Sequence, residues 1–220
     1  ASLAALEAKR QRLAALEAER QQLRAFGWTD NGAGGMTSLD GASHWGQQPE
    51  SPFAVVNRRP DQKDLPKDVV AVTSDDVEAG KLQMQYIAEK LGGKGKIVIL
   101  LGDLANNSTT NRTKGVKEVL AKYPDIKIEQ EQTGIWLRDK GMTLVNDWLT
   151  QGREFDAVLA NNDEMAIGAA MALKSAGKEK GSVLIAGVDG TPDGLNAIAK
   201  GDMAASAFQD AKGQAVGSVE

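Results

Sequence analysis

Asn57-Arg58-Arg59, Asn106 to Arg112, Trp136 to Arg138, Asn161-Asn162-Asp163, Asp189 and Gln209-Asp210 each follow a stretch that reads as a strand. Asparagine, aspartate and arginine carry planar polar groups that can bridge two neighbouring hydroxyls, and a polyol presents hydroxyls that both donate and accept. A tryptophan face covers the C–H surface of a sugar ring. The set therefore suits a neutral sugar or cyclitol. Each residue also has a plainer reading. Asn161, Asn162 and Asp163 serve equally as caps of the helix that follows. Asp189, in Gly187-Val188-Asp189-Gly190-Thr191-Pro192-Asp193, has the setting of a turn former, and Arg112 that of a solvated first-turn residue. Trp136 reads alternatively as core, and Gln209 as the closure of a sheet edge.

Other chemistries find less support. Gly92-Gly93-Lys94-Gly95-Lys96 is rich in glycine and lysine, but it precedes a strand and so belongs to the edge opposite that of a phosphate loop. Neither G-x-G-x-x-G nor G-x-x-x-x-G-K-[ST] occurs. The chain has no cysteine, which excludes disulfides, thiolate zinc sites and a cysteine nucleophile. Its single histidine, His44, sits in a polar, glycine-rich stretch that is a poor setting for a Ser-His-Asp triad. With no activated nucleophile and no metal cluster legible, the expectation is a binding module, not an enzyme, with no cofactor and no metal. A net charge of -4 with interspersed signs offers no basic face for nucleic acid. No run of about 18 apolar residues exists to insert in a membrane, and residue 1 does not open a signal-peptide pattern.

These tips need elements to position them. From Phe53 onward strands and helices alternate, the pattern of a doubly wound parallel α/β sheet. Strands are expected over 53–57, 69–73, 96–101, 126–132, 155–159, 183–187 and 203–208. Helices are expected over 77–91, 110–122, 139–150, 164–176 and 193–200, with another from about Asp210. Ser74-Asp75-Asp76, Ser108-Thr109 and Thr191-Pro192-Asp193 supply helix-start signals, and Gly92-Gly93 and Gly177 supply stops. In an open sheet of this kind small ligands bind at the carboxyl ends of the strands, where these polar side chains converge.

Two further segments precede this domain of residues 53–220. Residues 1–26 repeat a ten-residue unit, Leu3 to Arg12, Leu13 to Gln22 and Leu23 onward, built almost wholly from strong helix formers. At about 100° per residue a ten-residue repeat turns the apolar stripe back by roughly 80° each time, so the helix suits a curved surface or several neighbours better than a two-stranded coiled coil. A homo-oligomer contact through this helix is a further partner reading. Residues 27–52 lack either period and are dense in breakers, the composition of a Gly-rich linker or irregular segment.

The ordered motifs Val56-Asn57-Arg58-Arg59-Pro60, Ser74-Asp75-Asp76-Val77-Glu78-Ala79-Gly80, Asn111-Arg112-Thr113-Lys114-Gly115, Asn162-Asp163-Glu164-Met165-Ala166, Gly187 to Asp193 and Phe208 to Gln214 resemble the type I periplasmic sugar-binding proteins of ABC importers, the ribose-, inositol- and rhizopine-binding group. The resemblance implies one α/β lobe of a two-lobed, periplasmic receptor that closes on a sugar and delivers it to an ABC permease. It implies that Asn57, Arg58, Arg112, Trp136, Asn162, Asp189 and Gln209 contact the ligand. The wording around Asn57 and Phe208 looks closer to the cyclitol binders than to the ribose binders. Where the family carries most of its first lobe, this chain has residues 1–52, so the resemblance also implies impaired, millimolar or weaker binding. The alternative is an engineered or chimeric scaffold in which the N-terminal helix completes the fold or drives oligomerisation. A sugar-responsive repressor domain shares the fold, but the N-terminal helix offers no DNA-reading turn or basic face.

Overall fold

The computed structural model describes residues 28–30, 36–38, 43–44, 53–57, 65 and 69–218. The helix expected over residues 1–26, and Arg58, lie outside these described residues. The described residues fall in two compact units, those up to Thr73 together with those from Ala211, and Ser74–Asp210.

In the first unit β1 (Trp28–Asp30), β2 (Met36–Ser38) and β3 (Ser43–His44) form a small antiparallel sheet in the order β1-β2-β3. These strands fall in the segment read as linker or irregular. The glycines of Asn31-Gly32-Ala33-Gly34-Gly35, read as breakers, separate two short β-forming runs, which is the arrangement a hairpin needs. β4 (Phe53–Val56) pairs in parallel with β5 (Val69–Val72), and α6 (Ala211–Gly217) belongs to the same unit. Residues 53–220, read as one domain, are thus shared between the units, because β4 and β5 pair with each other and not with the larger sheet.

The second unit contains α1 (Asp76–Lys90), β6 (Lys94–Leu101), α2 (Asn107–Leu120), β7 (Asp125–Thr133), α3 (Arg138–Thr150), β8 (Ala157–Ala160), α4 (Asp163–Ser175), β9 (Leu184–Asp189), α5 (Pro192–Ala199) and β10 (Ala205–Phe208). Its five strands are parallel in the order β10-β9-β8-β6-β7. The apolar runs of the central strands are buried on both faces, as helix-covered parallel strands require. Ile97, Ile99, Ala157 and Leu159 pack with Met84 and Ile87 of α1 and Val116 and Val119 of α2. The alternate residues Val98, Leu100, Val158 and Ala160 pack with Val145 and Trp148 of α3 and Met165 and Ala169 of α4. The sheet is therefore doubly wound, and the chain leaves β6 to one side for β7 and returns to its other side for β8. That reversal opens a crevice at the carboxyl ends of β6 and β8, the switch point at which open α/β sheets hold ligands.

Close helix crossings bring the crevice residues together. α1 and α2 meet at Gly80, where a Cβ would run into the Arg112 carbonyl, and at Gly115, where it would run into the Val77 carbonyl. Only glycine permits backbones to approach in this way.

Candidate functional site

Arg112 stands at the centre of the crevice on α2. It is 5% exposed, so it is not the solvated first-turn residue of the plainer reading. Its Nε donates to Asp76 Oδ1 at 2.7 Å, and its Nη1 donates to the Asn161 carbonyl at 2.6 Å and to Asp189 Oδ1 at 3.1 Å. Its Nη2 donates to Gln209 Oε1 at 3.2 Å. A guanidinium has five N–H donors, so one Nη2 hydrogen remains without an acceptor among the described residues. The ends of α1, β8, β9 and β10 are thereby tied to one cation.

Asn161 locks the switch point itself. It is fully buried, its Oδ1 accepts from the Gly102 N–H at 3.0 Å, and its amide exchanges hydrogen bonds with Thr113 Oγ1. The end of β8 is thus bonded across to the residue that follows β6. Asn162 is the N-cap of α4: its Oδ1 accepts from the Met165 N–H at 3.0 Å, which is the cap role, and its Nδ2 donates to the Trp136 carbonyl at 3.1 Å. Asp163, also fully buried, accepts from the Thr191 N–H, Thr191 Oγ1 and Ser206 Oγ at 2.8, 3.0 and 2.6 Å. It staples the start of α4 to the β9–α5 loop and to β10.

Trp136 lies on a turn that resists ordinary residues. Ile135 and Trp136 have φ of 45° and 69°, a left-handed conformation that is especially unfavourable for a β-branched side chain. The turn is held by Gly134 N–H to the Leu101 carbonyl at 2.8 Å, by Thr133 Oγ1 to the Gly102 carbonyl at 2.6 Å, and by Asn162. The indole lies against Gly102, where a Cβ would overlap its six-membered ring, and the Arg112 guanidinium carbon is 5.7 Å from the ring centroid. At the neighbouring rim Arg138 forms a two-pronged ion pair with Glu164 and a third bond to Asp193.

Asp189 carries φ 117°, a strained backbone at the end of β9. Burial pushes its carboxyl up to about 6, against the pull of the Arg112 guanidinium and with an added push from the Asp163 carboxylate.

Of the residues expected to form a ligand site, Arg112, Trp136, Asn162, Asp189 and Gln209 therefore converge in one unit. Asn57 belongs to the other unit, where it follows β4 with φ 74° and donates its backbone N–H to the Val72 carbonyl at 3.0 Å. Arg58 lies outside the described residues. Sequence reasoning missed Asp76, which reads as a helix-start acid and sits 36 residues from its partner Arg112. It placed Asn161 and Asp163 at a tip without foreseeing that both are fully buried fasteners. Their position between a buried strand and an alanine-rich helix was the available signal. Among the described residues no group of three or more His, Cys, Asp or Glu is placed to hold a metal ion, and no helix is long and apolar enough to cross a membrane.

The periplasmic binding protein domain family matches residues 52–220. The chain belongs to that family. A Rhizobium meliloti protein named for rhizopine binding is 48% identical to this periplasmic binding protein domain over 77% of the chain and 56% of its own length. The ribose import binding protein of Salmonella typhimurium is 34% identical over 74% of the chain and 53% of its own length. A solved ABC transporter solute-binding protein from Bacillus halodurans, with bound myo-inositol, superposes with a TM-score of 0.72 at 38% identity, covering 76% of this chain and 57% of that one. The chain thus spans about half the length of the curated relatives it matches.

Proposed function

We propose that the carboxyl edge of the five-stranded sheet binds a neutral sugar or cyclitol, as part of a periplasmic substrate-binding protein that hands its ligand to an ABC permease. The observation that carries this reading is the Arg112 guanidinium, buried at the switch point beside the Trp136 ring, with one donor left over among the described residues and with Asp189 and Gln209 within bonding distance. A cyclitol ring presents adjacent hydroxyls that suit Arg112, Asn162, Asp189 and Gln209, and a C–H face that suits Trp136. The names of the rhizopine- and ribose-binding relatives, and the myo-inositol held by the Bacillus halodurans protein, favour a polyol over a charged ligand. The cluster contains no activated nucleophile, so the ligand leaves unchanged.

Hydrogen bonds to charged groups contribute about 1.5–3 kcal/mol each, so the few contacts available from the second unit correspond to binding in the roughly millimolar range. Isothermal titration of the chain with myo-inositol and with ribose tests this. Saturable heat with a Kd near about 1 mM is expected, with myo-inositol the tighter ligand. Micromolar affinity would overturn the weak-binding part, and no saturable heat for either polyol would overturn the reading.

A second reading, a scaffold without ligand function whose N-terminal segment completes the fold or drives oligomerisation, is favoured by one observation. All three Arg112 nitrogens are already bonded to the chain's own acceptors. It predicts no titration heat, and it predicts unfolding or a change in assembly mass once residues 1–50 are removed.

A further inference from the structure

We propose that Gln83 is a positioning residue that sets the separation of the β8 and β9 tips, and with it the width of the candidate polyol site, without touching the ligand. The link to affinity rests on the polyol reading; the link to geometry does not.

Gln83 lies on the inward face of α1 and is 2% exposed, flanked by Met84, Ile87 and Ala88 of the apolar layer. An amphipathic helix ordinarily fills such a position with an apolar residue. The polar side chain here reaches past that layer to the backbone of the sheet. Its Nε2 donates to the Ala160 carbonyl at 2.8 Å, to the Ala186 carbonyl at 2.8 Å and more weakly to the Gly187 carbonyl at 3.3 Å.

The location of those carbonyls is what gives the contact meaning. The β8–β9 ladder ends at the register pair Leu159↔Ala186. Carbonyls alternate in direction along a strand. The Asn161 carbonyl is taken by Arg112 Nη1, and the Ile185 carbonyl by the Ala204 N–H on the β10 side. The carbonyls of Ala160 and Ala186 therefore point between β8 and β9: that of Ala186 closes the last rung of the ladder, and that of Ala160 is the first beyond it, where the strands part. Gln83 stands in for the missing rung at the Ala160 carbonyl and shares the Ala186 carbonyl with the last rung of the ladder, while keeping the strands apart. A buried carbonyl left without a donor is unfavourable, so without this amide the Ala160 end relaxes by closing on β9 or by admitting water. Gln83 Oε1 is itself buried with no hydrogen-bond partner among the described residues. The side chain thus strands an oxygen to deliver its two hydrogens, which volume filling alone does not explain.

Just beyond the gap, Arg112 Nη1 bridges the Asn161 carbonyl of the β8 end and the Asp189 carboxylate of the β9 end. Both bonds at once require the spacing that the Gln83 amide imposes. The residue acts through Arg112 and Asp189, and its effect is on where the tips stand.

Gln83→Met tests the inference against Met84→Ala, which removes core packing from the next residue of the same helix. Two readouts are taken on each chain: the Arg112 Nε–H resonance and its hydrogen exchange by nitrogen-15 NMR, and titration with myo-inositol. Gln83→Met is expected to move the resonance, to speed its exchange by about tenfold and to weaken binding by about tenfold, since a site loosened behind its contacts loses its geometry first. Met84→Ala is expected to lower the thermal midpoint while leaving resonance and affinity in place. An unmoved Arg112 resonance in Gln83→Met, or an equal movement in Met84→Ala, overturns the proposal. If the unaltered chain takes up no myo-inositol, the polyol reading fails, and the resonance comparison still decides on Gln83. If Gln83→Met does not fold, Gln83→Glu takes its place: burial holds the acid protonated with a single donor, and a resonance identical to that of the unaltered chain then overturns the proposal.

Discussion

Asparagine in place of Asp189 keeps the shape of the side chain and tolerates a positive φ better than most residues, but it cannot ionise. In the unaltered chain burial raises the Asp189 carboxyl from 3.8 to about 6, with Arg112 offsetting part of the effect. A folded-state value above the unfolded one means that the native chain keeps this proton over a pH range in which the unfolded chain has released it. The stability contributed by the group is therefore fully present below about 3.8 and is lost as pH rises through about 6. At about 1.4 kcal/mol per pH unit the interval is worth on the order of 2–3 kcal/mol. Urea unfolding of both chains at steps from about pH 4 to about pH 7.5 measures it, because every other titrating group is common to the pair and cancels in the difference. Between the ends of that range the unfolding free energy of Asp189→Asn is expected to gain on that of the unaltered chain by on the order of 2–3 kcal/mol. Parallel profiles, or a gain by the unaltered chain as pH rises, would mean that the Arg112 attraction outweighs burial, and would refute the reasoning.

Arg112→Met strips the cation from Asp76 and Asp189 in a buried setting, and the unfolding free energy is expected to fall by about 3–5 kcal/mol. A loss under about 1 kcal/mol in urea denaturation is incompatible with a guanidinium that ties the tips together. Gly80→Ala pushes a Cβ into the Arg112 carbonyl where α1 and α2 cross, which is expected to cost about 1–3 kcal/mol; an unchanged thermal midpoint contradicts the close crossing. Ile135→Gly relieves a β-branched residue at φ 45° that is 44% exposed. The left-handed penalty of roughly 1–2 kcal/mol exceeds the added chain entropy of about 0.5–1 kcal/mol, so stability is expected to rise by up to about 1 kcal/mol, and clear destabilisation in thermal unfolding refutes the strained turn.

Much of the second unit was legible because its strands are buried on both faces and end in punctuation. The apolar run expected over 155–159 becomes β8 at Ala157–Ala160, closed by Asn161 and Asn162, and the helix expected over 164–176 becomes α4 at Asp163–Ser175. Both follow from apolar length and cap chemistry alone. The tips that meet were legible only through topology: Arg112 and Asp189 are 77 residues apart, and only a doubly wound order places them at one crevice. What stayed hidden has physical reasons. Strands of three and two residues, such as β2 and β3, are too short to show a period. Gln83 looks like one more polar residue of a surface helix until the sheet end beneath it is seen. The left-handed pair Ile135-Trp136 runs against local preference, so no propensity argument finds it.

The plain and the functional readings of the tip residues prove not to be rivals. Asn162 caps α4 with its oxygen and holds the Trp136 carbonyl with its amide, so the cap is also what orients the aromatic face. Arg112 divides in the same way. Its Nε and Nη1 engage Asp76, the Asn161 carbonyl and Asp189, two carboxylates and a backbone oxygen that fix the plane of the group. Among the described residues its Nη2 meets only the neutral Gln209 oxygen, at the longest of the four distances, and keeps a further hydrogen. Hydrogen bonds to carboxylates are stronger than those to neutral oxygens, so on the polyol reading an incoming hydroxyl takes the remaining Nη2 hydrogen, and the Gln209 contact is the easiest of the four to exchange. On the polyol reading the buried side of the guanidinium is therefore scaffold and its Nη2 side, next to Gln209, is site. On that reading binding gains little net hydrogen bonding beyond the spare Nη2 hydrogen and the stacking of the ligand on Trp136, which is the physical ground for expecting it to be weak.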